Sequence, residues 1–440
     1  MKTKLHTLIY RTLLVAVLMT TMPASAYDFM VDGIAYDFTD NDSTAVQVVP
    51  ISKTEYYTGD IVVPATVVHN GKTHTVTAIG LRAFVFCSGM TSIQLPSTIK
   101  TIEPGAFLGC RGLTSIELPK GLVSIGNLAF VLCENLETVT IPSTVQDIGY
   151  MAFSQNFKLR NVNIPEGVEI IRYMTFNECY VLKDVVLPQS LKAIGTKAFG
   201  SCKHFSQVVI PDSVIEIGDE AFSNCENLTE ITIGKGVKNI SSNAFNDCAR
   251  MEVVKWNALE CEENEGDFQS PFKSHGKMFA VEIGNEVQKI PAQLFNYAVD
   301  LKSIDIPASV KEIGNNAFDN CLSLNTIVSR ATDPSLISYG SDLESIFNGM
   351  NKEECVVWVP AGTIELYKAT MPWSQFQNFS EIVEGDIDCD GAVTAADAMM
   401  QYNRLLNNDY SSPATCDVNN DGSVNIADVT QVYNLILGNK

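Results

Sequence analysis

Apolar residues recur along this chain with two periods at once. Phenylalanine marks the longer one: Phe84, Phe107, Phe130, Phe153, Phe176, Phe199, Phe222 and Phe245 are each 23 residues apart. Phe272, Phe295 and Phe318 resume that spacing after a four-residue insertion. Counted from each Phe, an Ala usually precedes it, a Cys often follows at +3, and Leu recurs at +6. Ile or Val then appears at +9, Ile or Leu at +11, often Pro at +12, and further aliphatics at +15 and +18. One full unit reads Ala106-Phe107, Cys110, Leu113, Ile116, Leu118-Pro119, Leu122 and Ile125.

The shorter period sets the local structure. Positions +7 to +11 alternate apolar and polar, which predicts a short strand with every second side chain buried. The Pro at +12 has no N–H for a ladder, so it ends the strand and turns the chain. The Ala-Phe-x-x-Cys segment has helical spacing and predicts one short helical turn with Phe inside. No unit can bury its own apolar face, so the units must stack as a solenoid. Eleven coils at roughly 4.8 Å each would extend about 50 Å.

The same alternation predicts an outward, concave strand face at +8 and +10. It carries Ser92 and Gln94, Ser115 and Glu117, Thr138 and Thr140, Asn161 and Asn163, then Asp184 and Val186. Gln207 and Val209, Glu230 and Thr232, and later Ser303 and Asp305 continue it. The face reads as polar and poor in aromatics and Arg. It suits a broad protein contact or a merely soluble surface.

These residues resemble the BspA-type leucine-rich repeat of bacterial surface proteins over about residues 79–327. The resemblance implies a β-rich N-terminal cap over residues 27–77, with Asn70-Gly71 as a hairpin turn. It implies an array over 78–330 and a C-terminal cap over 331–384 that includes Trp373. Cysteines 87, 110, 133, 179, 202, 225, 248 and 321 share one inward slot, filled by Asn156, His275 and Ala298 in other coils. That interchange predicts a ladder of buried thiols rather than disulfides.

Charge and export signals narrow the function. A net charge of -21 argues against nucleic acid or an anionic membrane as partner. Lys2, Lys4 and Arg11 precede the apolar run Leu13–Met19, and Ala24-Ser25-Ala26 forms a small-residue cleavage site. Residues 1–26 therefore read as a secretory signal peptide, which implies a secreted or cell-surface protein. No later segment is apolar enough to span a bilayer. Glu260, Glu262, Glu263 and Glu265 lie in the insertion and read as a solvated loop.

After Val383 the pattern changes. Asp386, Asp388, Asp390, Gly391, Thr394 and Asp397 occupy positions 1, 3, 5, 6, 9 and 12 of a calcium loop. Asp417, Asn419, Asp421, Gly422, Asn425 and Asp428 repeat it 31 residues later. Position 7 ligates through a backbone carbonyl, from Ala392 and Ser423. Each loop leads into an amphipathic helix, and Tyr402-Asn403 corresponds to Tyr433-Asn434, the mark of a duplication. This arrangement resembles a type I dockerin over 385–440. The resemblance implies a small all-α domain with two Ca2+ sites that docks to a cohesin-like scaffold. Such scaffolds often serve extracellular polysaccharide breakdown. Ala395-Ala396 and Ile426-Ala427 replace the hydroxyl pair usual at positions 10 and 11, so the partner class departs from the common one. Cys389 sits inside the first loop and Cys416 just before the second, and a disulfide between them is a further expectation.

His69, His74 and His204 show no metal-ligand or nucleophile-partner spacing, and neither a Gly-x-Ser-x-Gly elbow nor a phosphate-binding loop occurs. The reading is a leucine-rich-repeat solenoid plus a dockerin-like module, a secreted non-catalytic binding protein whose array takes an unknown protein or glycan ligand. An accessory role in polysaccharide degradation, or a tail packed on its own array, are the alternatives.

Overall fold

A computed structural model of the chain describes residues 27–39, 44–52, 54–183, 185–262, 270–272, 280–387, 392–407, 418–419 and 424–438. The predicted signal peptide, Asp184, Glu263, Glu265, His275, Cys389 and Cys416 lie outside the described residues. The chain divides into two compact units, residues 1–165 and 166–440. Each is built of β-solenoid coils of the leucine-rich-repeat kind.

In the first unit, β1 (Phe29–Val31), β2 (Ile34–Phe38), β3 (Ala45–Val49), β4 (Gly59–Val62), β5 (Thr66–His69) and β6 (Lys72–Ile79) start both ladders. The order β1-β2-β3-β6 runs on into the short coil strands Thr101–Ile102, Ser124–Ile125 and Asp147–Ile148. β4 pairs with Met90–Gln94, the first long coil strand. β5 and β6 form the expected antiparallel hairpin, with Asn70 and Gly71 at φ 48° and 75°. Positive φ at both central residues is what a tight turn needs to match the strand twist.

In the second unit the long strands pair in parallel from Gln207–Val209 to Thr326–Ser329 and continue through Val356–Val359 and Asn378–Glu381. Ser338–Tyr339 extends the short ladder. The repeat therefore adds turns beyond Phe318, and Phe347 stacks on Phe318 at 5.6 Å. Trp373, fully buried, closes over Phe347 at 5.3 Å, and its indole N–H donates to the Tyr339 hydroxyl at 2.6 Å.

The Phe stack is the spine of both units. Ring centroids lie 5.0–5.2 Å apart from Phe84 to Phe153, and 5.4–5.8 Å apart from Phe176 to Phe318. Each fully buried ring contributes about 2–3 kcal/mol.

The segment around each Phe forms linked turns instead of the expected helical turn. Residues at −2 and +2 from Phe have positive φ in most coils, among them Leu128 and Leu132, Lys197 and Ser201, and Glu220 and Asn224. This conformation costs roughly 1–2 kcal/mol for a residue with a Cβ. It also rotates the N–H out of the coil. Leu128 thus donates to Tyr150, Lys197 to Asp219 and Asn224 to Asn246, each 22 residues on, at 2.8–2.9 Å. Intervening donors close turns within the coil, as Val131 does to Leu128. A helix would spend every N–H internally; alternating donors join the coils.

The thiol ladder is present. The described array cysteines are free and buried. The Cys110 thiol donates to the Phe84 carbonyl at 3.0 Å, Cys133 to Phe107 at 3.1 Å and Cys248 to Phe222 at 3.2 Å. Desolvation raises the Cys133 thiol pKa to about 12 and lifts those of Cys110, Cys202 and Cys225 well above 9.0. Asn156 fills the same slot and donates to Phe153 at 3.0 Å.

Candidate calcium loops and array faces

The tail module has its own small core of Ile387, Ala398, Val418 and Val432, with Val393, Met400 and Val424 packed against it. Gly385 opens it at φ 87°; a Cβ there would sit 2.9 Å from Leu435. Among the described residues the α-helices are the short α1 (Ile364–Ala369), α2 (Ala395–Asn407) and α3 (Ile426–Ile436), the last two one after each loop.

Sequence places a loop polar group immediately before each helix, and the structure uses both as caps. The Asn425 side chain accepts from the Ala427 N–H at 2.8 Å, and Asp428 accepts from the Asn425 N–H at 2.8 Å. Thr394 and Asp397 repeat the arrangement: Thr394 Oγ1 accepts from Ala396 at 3.1 Å, and Asp397 Oδ2 accepts from the Thr394 N–H at 2.7 Å. These reciprocal boxes satisfy helix N–H groups that have no partner within the helix. The same carboxylates reach back across their loops. Asp397 Oδ1 accepts from Ile387 at 2.6 Å, and Asp428 Oδ1 accepts from Asn419 at 3.2 Å. Both position-12 carboxylates are therefore aimed and fixed by backbone donors, with Asp386, Asp397 and Asp428 all buried.

Asp388, Asp390, Asp417, Asp421 and Ser423 lie outside the described residues. Among the described residues no group of three or more His, Cys, Asp or Glu gathers in one place. Ala392 and Asn419 are exposed at their loops. The described donor set is all oxygen, and three buried carboxylates in one small module need positive charge nearby. A hard divalent cation such as calcium fits that chemistry. It would supply the charge in each loop, with Asp386 and Asp397 helping to hold it in the first and Asp428 in the second.

The array faces differ between units. On the first unit's strand face Ser115, Glu117, Thr138, Thr140, Asn161 and Asn163 are all exposed, as alternation predicts. Asn163 hydrogen-bonds the Ile141 N–H and carbonyl at 2.9 and 2.7 Å. On the second unit Val186 and Val209 are exposed, but beyond them the face is partly sealed: Val253, Ala280 and Val328 are buried. Glu230 pairs with Lys255 at 3.0 Å, and Arg330 grips Asp305 through two nitrogens at 2.8–2.9 Å.

Sequence periodicity missed Trp358, which joins this face in register with Val328 and Ser380. Phe347 follows Phe318 by 29 residues, and one extra residue separates it from its strand. Counting from Phe thus turns Trp358 inward. The alternation of Val357 and Val359, both buried, with the half-buried Trp358 was the available signal.

These features agree with the comparisons. The family described as BspA type leucine rich repeat region (6 copies) matches residues 72–183, 169–265, 192–325 and 268–341, more than half of the chain. The chain belongs to the BspA-type leucine-rich-repeat family. A type I dockerin domain matches residues 384–437 of this BspA-type protein. Both families are non-catalytic binding modules. No significantly similar relative was found among curated proteins. Among solved structures, a leucine-rich repeat protein from Bacteroides ovatus is 25% identical, covering 81% of this chain and 100% of that one, with a TM-score of 0.44. A leucine rich cell surface protein from Faecalibacterium prausnitzii is 24% identical over 82% and 96% of the two chains, TM-score 0.46. The pneumococcal vaccine antigen PcpA is 18% identical over 81% and 98%, TM-score 0.40.

His69 stacks on Phe29 at 4.2 Å, His74 is buried, and His204 lies 2.7 Å from the Tyr180 carbonyl. Among the described residues no helix is long and apolar enough to cross a membrane. Within the insertion, Glu260 pairs with Lys238 at 2.9 Å, as a solvated loop residue can.

Proposed function

We propose that this BspA-type protein is an exported, non-catalytic adaptor at the cell surface or in the medium. Its array holds a ligand, and its calcium-loaded tail docks to a cohesin-type scaffold. Residues 1–26 are the cleaved signal. Two calcium ions bind, one through Asp386, Asp388, Asp390, Ala392, Thr394 and Asp397. The other binds through Asp417, Asn419, Asp421, Ser423, Asn425 and Asp428.

The observation that carries this reading is the duplicated box in which Asp397 and Asp428 each join a loop to a helix. Metal taken up by the loop is thereby coupled to helix position. The helices offer something to dock: Met399, Tyr402, Leu406, Ile426, Tyr433 and Leu437 are all exposed. A small domain rarely leaves so many large apolar groups in water without a partner.

The test compares the mature chain from Tyr27 with one ending at Glu384 as immobilised baits for a cohesin-type scaffold. Capture by the longer bait in calcium, abolished by chelator and absent from the shorter one, is expected. Equal capture by both baits would overturn the assignment of docking to the tail. Calorimetry on the mature chain should count two calcium ions; one or none would overturn the paired sites.

A further inference from the structure

The outward row of the second unit carries chemistry that its fold does not require. At the same repeat positions the first unit uses Ser, Thr and Asn with a single charge, Glu117, all exposed, and its strands still pair in register. The second unit places Glu230, Lys255, Glu282 and Asp305 there, with Arg330 alongside, all only partly exposed. Partly desolvating charge is costly, and even a paired, partly buried ion pair adds little stability over neutral residues. A cost borne where a neutral alternative is available in the same molecule points to recognition.

The row has three further properties. Asp305 and Arg330 are fixed in plane as a bidentate pair, with side chains 33% and 15% exposed. Three carboxylates face two cations, so the row is nearly neutral and offers little to a strongly charged ligand. Trp358 stands at one end with Val328 sealed beside it, and it is the one partly exposed tryptophan, because Trp256 and Trp373 are fully buried. An aromatic face next to rigid, neutralised donors and acceptors matches a molecule with an apolar C–H face and a rim of hydroxyls. Successive strands lie roughly 4.8 Å apart, so the row suits an extended chain.

We propose that the strand face from Glu230 to Trp358 binds a neutral polysaccharide, with Trp358 as the stacking platform and Asp305 and Arg330 as its hydrogen-bonding flank. This deepens the reading of the array as the ligand-holding half and does not depend on docking by the tail.

The test titrates the mature chain with a soluble β-glucan, a xylan and a mannan, following tryptophan fluorescence and gel retardation with each polymer. At least one polymer should give a saturable fluorescence change and retardation, equally with calcium and with chelator. Trp358→Ala should weaken it at least tenfold, Asp305→Asn several-fold, and Trp358→Phe, which keeps a flat ring, should retain most of it. Ser115→Ala in the first unit should change nothing. If no polymer binds, or if Trp358→Ala binds as the parent does, the proposal fails. It fails equally if Trp358 proves necessary for capture of a protein while no polymer binds. Binding abolished by chelator would also overturn it, because the site would then lie in the tail.

Discussion

The two units share an interior and exchange their exteriors. Around the Phe stack of the first unit, the turn face is apolar: Val85, Leu108, Val131 and Leu132 form a second buried cluster against Phe86, Leu128 and Met151. At the same positions the second unit has Asn177, Ser201, Ser223, Asn224, Asn246 and Asp247. The strand faces reverse this. The first unit shows exposed Ser, Thr and Asn with Glu117, whereas the second shows exposed Val, sealed small apolar residues, ion pairs and Trp358. A solenoid coil needs only its inward positions for stacking. Its two outer faces are therefore free to diverge, and charge or aromatic residues that accumulate on one face of one unit carry more functional information than the repeat itself.

Calcium removal divides the molecule most deeply, because only the second unit carries the tail. Each site at a thousandfold excess over its Kd stabilises the module by about 4 kcal/mol. Chelator should abolish the helical circular dichroism of α2 and α3 and leave the main array melt in place. A single melt of the whole chain that moves with chelator would show that tail and coils are one cooperative body.

The turn faces come next. Leu108→Ala in the first unit should cost about 2–4 kcal/mol in urea denaturation. Ser223→Ala, at the matching position of the second, should stay within about 1 kcal/mol. Equal losses would mean that the second cluster adds nothing to the first unit.

Alkaline pH should weaken both units through the thiol ladder. Folded Cys133 titrates near 12 because burial disfavours its thiolate, and Cys110, Cys202 and Cys225 are raised for the same reason. The unfolded chain ionises near 9, so the stability is complete below that pH and declines as pH rises from 9 towards 12. In reducing buffer the melting temperature should be lower at pH 10 than at pH 8, and Cys133→Ala should reduce the difference. A flat profile between those values would contradict the burial of the ladder.

The smallest effects lie in the left-handed turns. Glu220→Gly should change stability by less than about 1 kcal/mol in the favourable direction, as relief of the Cβ outweighs added chain entropy. Gly109→Ala should be unfavourable by about 1–2 kcal/mol, because its Cβ would meet the Phe86 ring at 2.5 Å. If both substitutions behave alike, the turn conformation is not what distinguishes these positions.

Much of this is legible in the sequence. Phe at a fixed spacing gave the stack, alternation gave the outward Ser115, Thr138 and Asn161, and interchange of Cys with Asn156 indicated thiols rather than bridges. The Asp-Asn-Gly spacing marked the loops and the helices that follow them. Misreadings arose where one pattern serves two structures. Ala-Phe-x-x-Cys spacing is met equally by a helical turn and by linked turns with left-handed residues. Nothing in Leu128, Lys197 or Glu220 announces positive φ, since the compensating acceptor lies a whole coil away.

The sequence by itself determined the repeat, the inward set and the twin loops, because periodicity and ligand spacing are local properties that any stacked arrangement must honour. Only the tertiary structure decided which outer positions are sealed, where N–H groups leave their coil, and on which side Trp358 lies. Those depend on neighbouring coils, and a one-residue change of register is enough to move a side chain from one face of a strand to the other.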